Sequence, residues 1–82
     1  MSGNPFYDAA NAVIAQYDKR MQYMKPDRAV GESANAVINL GRIADAARYA
    51  GHPAASIIIE NAAKYWQCYG KKPAPFSEDT PA

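Results

Sequence analysis

Alanine stands where large aliphatic side chains would be expected, and this shortage limits what the chain can become. There are 17 alanines against 1 leucine, 3 valines and 6 isoleucines. The 49% hydrophobic share therefore overstates the material for a core, which must be completed by 6 Tyr, 1 Trp, 2 Phe and 3 Met. This inventory excludes a β-sandwich and a Rossmann domain. A single cysteine, Cys68, excludes a disulfide scaffold. At 82 residues the chain suffices for one small domain, a size at which one core is marginal.

Apolar spacing and helix punctuation predict an all-α fold, a small three-helix antiparallel bundle over residues 1–70. Its helices are expected at about 5–24, 28–50 and 53–69. In the first, Asn4-Pro5 sets an N-cap before a proline at the first helical position. Phe6, Ala10, Val13, Ile14, Tyr17, Met21 and Met24 follow at intervals of three and four, until Lys25-Pro26 stops the helix. Asp27 is the candidate N-cap of the second, with a later start near Glu32 as the alternative because Gly31 weakens a first turn. Its expected inner stripe is Ala34, Val37, Ile38, Gly41, Ala44 and Ala47, the last three smooth enough for close approach of a neighbour. Glu32, Asn35, Asn39, Arg42 and Asp45 face outward.

Gly51 closes the second helix and Pro53 opens the third, whose stripe reads Ala55, Ile58, Ile59, Ala62, Tyr65, Trp66 and Tyr69. The run Ile57-Ile58-Ile59 is wider than one face, so at least one isoleucine must point away from the main stripe, a hint of a second buried surface. Gly70 and Pro73 end the helix. Residues 71–82 hold 3 of the 6 prolines without periodicity and read as a flexible, disordered Pro-rich tail.

Charge is nearly balanced, at +1 overall, so any electrostatic attraction is local. The first 72 residues carry 9 positive and 6 negative side chains; Glu78 and Asp79 fall in the tail. An up-down-up bundle gathers Lys19, Arg20, Lys25, Arg28, Lys71 and Lys72 at one end near Tyr23 and Tyr69, diluted by Asp18 and Asp27. Cations beside aromatic rings suit phosphates, nucleotide-like anionic ligands or an acidic protein. Lysine and arginine also gather at helix C-termini simply because the dipole favours them there.

Asp45-Ala46-Ala47-Arg48-Tyr49-Ala50-Gly51, continued to Ile57, has the spacing of a helix-turn-helix: Ala47 for a close crossing, Gly51 for the turn, Ile57 to plug the angle. The stretch resembles the helix-turn-helix of lac-repressor-type transcription factors, and the resemblance implies a DNA-binding regulator reading duplex through its third helix. The residues at the start of that helix, Ala54, Ala55, Ser56, Ile58, Ile59 and Glu60, supply little that could reach base edges, and Glu60 repels phosphate.

Catalysis is not expected, nor a cofactor or a bound metal. His52 sits in a turn where it is expected to cap or hydrogen-bond, Cys68 lies one turn after Lys64 but has no His or acid near it in sequence, and no phosphate-cradling glycine loop occurs. One His with one Cys is too few for a tetrahedral zinc site. No membrane span and no basic-then-apolar leader is visible, which predicts a cytoplasmic protein. The thin core and surplus tyrosines predict self-association as a homo-oligomer and a non-enzymatic function. In that reading the protein docks on another protein and modulates or inhibits it, in the manner of small accessory proteins of phages and mobile elements. The expected partner-binding residues are Tyr23, Lys25, Arg28, Tyr49, Tyr69, Lys71 and Lys72, tyrosines anchoring and cations steering.

Overall fold

A computed structural model describes residues 4–23, 25 and 28–77. Three helices follow one another, α1 (Pro5–Met21), α2 (Ala29–Tyr49) and α3 (Pro53–Tyr69), packed as the expected antiparallel bundle. Each boundary has a local cause. The Asn4 side-chain oxygen accepts from the backbone N–H of Phe6 at 2.9 Å and of Tyr7 at 3.3 Å. Such a cap stabilises a helix start by about 1 kcal/mol. Gly51 at φ 86° and Gly70 at φ 68° take the left-handed conformation that a side chain resists, and so end α2 and α3. Across the α2–α3 turn the His52 N–H donates to the Ala47 carbonyl at 2.8 Å. Met24, Pro26 and Asp27, expected as stripe residue, helix stop and second N-cap, lie outside the described residues. Arg28 occupies the N-cap position of α2 without a side-chain capping bond.

The core follows helical spacing. Tyr7, Ala10 and Ile14 come from α1, Ala36, Leu40, Ala44 and Ala47 from α2, and Ala55, Ile59, Ala63 and Trp66 from α3. The α2 stripe is rotated from the expected one. Leu40, the only leucine, is fully buried, whereas Ala34 and Ile38 face outward. Burying a leucine is worth roughly 1.5–3 kcal/mol, enough to set the row on positions 36, 40, 44 and 47. The close approach expected at Gly41 falls to Ala44 and Ala47, since a Cβ on Gly41 would meet nothing within 4 Å.

On α3 the isoleucine run divides: Ile59 is buried, Ile58 is half-buried, and Ile57 points away from the stripe into solvent, not onto a second buried surface of this chain. Exposure of Ile57 overturns its expected place as the plug of a helix-turn-helix. Ala55 and Ser56 take the inner positions, so α2 and α3 form a close hairpin. Tyr65 and Tyr69, expected in the stripe, also point outward. His52 makes no capping bond with its side chain; its ring rests on Phe6, with centroids 5.2 Å apart.

Residues 71–77 have neither helix nor strand, as their prolines require, and up to residue 77 the expected tail is fixed against α1. Lys72 Nζ meets Asp18 Oδ1 at 2.7 Å. Phe76 is only 6% exposed and stacks on Tyr7 at 5.9 Å. Asn11 donates from Nδ2 to the Phe76 carbonyl at 2.8 Å and accepts the Phe76 N–H on Oδ1 at 2.7 Å. Phe76 is the one large apolar side chain of the stretch, and its burial against α1 outweighs the entropy of a free chain there. Residues 78–82 lie outside the described residues.

Candidate binding surface

Contacts identify which residues share each end of the bundle. The Asp18–Lys72 pair and the Arg20–Glu32 pair at 3.5 Å join the end of α1, the start of α2 and the segment after α3. This is the end that carries Tyr23, Lys25, Arg28, Tyr69, Lys71 and Lys72, six of the seven expected partner-binding residues. All six are exposed, with Tyr23 at 84% and Tyr69 at 67%. Lys72 is engaged by Asp18 and Arg20 by Glu32; among the described residues no ion pair holds Lys25, Arg28 or Lys71. Three cations with no ion pair among the described residues, beside two solvated tyrosines, form a surface that attracts negative charge.

Tyr49, the seventh expected residue, stands at the opposite end, where the Phe6–His52 contact brings the start of α1 to the α2–α3 turn. It is fully solvated on one side and covered by Arg48 on the other, the guanidinium carbon 5.2 Å from the ring centre. Arg48 is further held by Asp45 at 3.3 Å.

Two surfaces extend beyond the seven expected residues. The first is the outer face of α3, where Ile57 and Tyr65 are more than half exposed and Tyr69 continues the row. The Tyr65 and Tyr69 rings touch at 4.7 Å, an arrangement that presents one aromatic ledge. The over-wide isoleucine run was its signal in the sequence. The second is a groove of about 540 Å³ between α1 and α2, floored by Val13, Tyr17 and Ala36. The side chains that read as a solvated face of α2, Asn35, Asn39 and Arg42, form one wall of it. No pattern within a single helix could reveal that wall, because the groove exists only once Val13, Gln16 and Arg20 of α1 stand opposite.

Among the described residues, no group of three His, Cys, Asp or Glu side chains could hold a metal ion. Cys68 is exposed and unpaired, and no described helix is long and apolar enough to cross a membrane. Compared with protein-family models, curated proteins and solved structures, the chain gives no match.

Proposed function

We propose that the chain is a non-enzymatic binding protein that works as a homo-oligomer, docking on another protein to modulate or inhibit it. The observation that carries this reading is the exposure of Ile57, Tyr65 and Tyr69 on the side of α3 turned away from α1 and α2. A domain short of large aliphatics nevertheless leaves these side chains in water, and covering them would add the burial that its own core lacks. In this reading α3 meets a second copy through Ile57 and Tyr65. The adjoining end, with Tyr23, Tyr69, Lys25, Arg28 and Lys71, faces an acidic surface of the partner.

Sedimentation equilibrium tests the first half. The parent chain should exceed the 8.9 kDa of one copy, and Ile57→Lys with Tyr65→Lys should return it to that mass with helical circular dichroism unchanged. Affinity capture with the Tyr23→Ala, Tyr69→Ala double variant tests the second half, and loss of partners retained by the parent is expected. A monomeric parent whose double variant keeps every partner would sink the proposal.

A further inference from the structure

We propose that the groove between α1 and α2 binds an extended peptide carrying a large apolar residue followed by an acidic one. The inference is independent of the α3 face and of the tyrosine-bearing end. It starts from the chemistry by which this molecule already holds an extended segment on the other side of α1. There a single carboxamide, Asn11, satisfies both the N–H and the C=O of one residue, Phe76, while the Phe76 ring stacks on Tyr7. A carboxamide offers one donor side and one acceptor side in a plane, which matches the edge of a peptide backbone.

The open groove repeats the carboxamides without a partner, beside a Tyr17 ring that is held edge-on by Trp66 at 4.8 Å. Asn35 and Asn39 line it from α2 and Gln16 from α1, and among the described residues none of these three side chains has a hydrogen-bond partner. Asn35 and Asn39 are four residues apart, so they stand about 6 Å apart along the helix axis. In an extended chain every second residue repeats at about 6.6 Å, so the two carboxamides can each grip a residue on the same edge of one peptide. An apolar side chain of that peptide then falls on Val13, Tyr17 and Ala36, with Ile38, 53% exposed, closing over it.

Charge sets the second element of the motif. Arg42 follows Asn39 by three residues on the same wall, and no ion pair holds it among the described residues. At the other end Arg20 is neutralised by Glu32. The net positive charge of the groove therefore lies at its Arg42 end, where it suits an aspartate or glutamate of the peptide.

The test is selection of displayed random eight-residue peptides on the immobilised full chain, followed by fluorescence polarisation of the enriched sequences. Enrichment of a large apolar residue followed within three positions by Asp or Glu is expected. Binding should fall by about tenfold or more in the Asn35→Ala, Asn39→Ala double variant, a lower bound for loss of four backbone hydrogen bonds, two at each carboxamide. Arg42→Ala should weaken binding and flatten its salt dependence. Backbone amide shifts on titration should cluster at residues 35–42 and 13–20. Absence of any enriched motif, binding that survives the double variant, or shifts centred on Tyr7, Asn11 and Phe76 would each overturn the inference, the last by showing exchange with the molecule's own segment. Tyr69→Ala should leave peptide affinity unchanged, so failure here is separable from failure of the oligomer and partner proposal.

Discussion

The two flanks of α1 use the same kinds of side chain to opposite ends. On one flank an asparagine, an aromatic ring and a charged residue (Asn11, Tyr7 and Asp18) are all engaged by residues 72–76 of the chain itself. On the α2 side Tyr17 packs on Trp66 and Arg20 pairs with Glu32, while Gln16 of α1 and Asn35, Asn39 and Arg42 of α2 line an open groove with their side chains unpaired among the described residues. The difference teaches that a carboxamide or ring near a seam has no fixed meaning. Its contribution to stability depends on whether a segment of chain reaches it, and what is left unreached is available to something else.

The largest test of this contrast is Phe76→Ala. Emptying a buried aromatic seat costs about 3–5 kcal/mol in general, so a loss of about 3 kcal/mol or more is expected in urea unfolding. Little change would mean that the seam is no more closed than the groove. A second, smaller test is Asn11→Ala, which removes the partner of both the Phe76 N–H and its carbonyl. A loss of about 2 kcal/mol is expected from a part-buried pair of this kind. Asn39→Ala completes the comparison from the open side. With an exposed, unpartnered carboxamide deleted, stability should stay within about 0.5 kcal/mol. A larger loss would show that the groove wall supports the fold and is not free for binding.

The fold was legible because its signals are local. Asn4-Pro5, Gly51-Pro53 and Gly70 mark helix ends by chemistry confined to a few residues, and the antiparallel order follows from short connections. Which face of α2 turns inward was less legible. Its alanines and Gly41 give a shallow periodic signal, and the single leucine, Leu40, decided the rotation. The exposed end with Tyr23, Arg28, Tyr69 and Lys71 could be assembled from topology alone, because helix ends and their order are enough to place it. Tyr49 could not join that end, since α2 carries it to the other one. The seat of Phe76 lay beyond periodicity because it depends on a partner, Asn11, 65 residues earlier. The groove was hidden for the same reason, being a property of two helices rather than of either.

The Asn11–Phe76 pair has a topological consequence. It draws two positions 65 residues apart into contact, so nearly all of the described molecule is enclosed between the halves of one noncovalent clasp. By contrast, α2 and α3 are neighbours in sequence, hinged on Gly51, and their contacts close only short stretches of backbone. Opening should accordingly begin at the rim, with the terminal strap and α1 lifting away together, while the hinged pair lets go last.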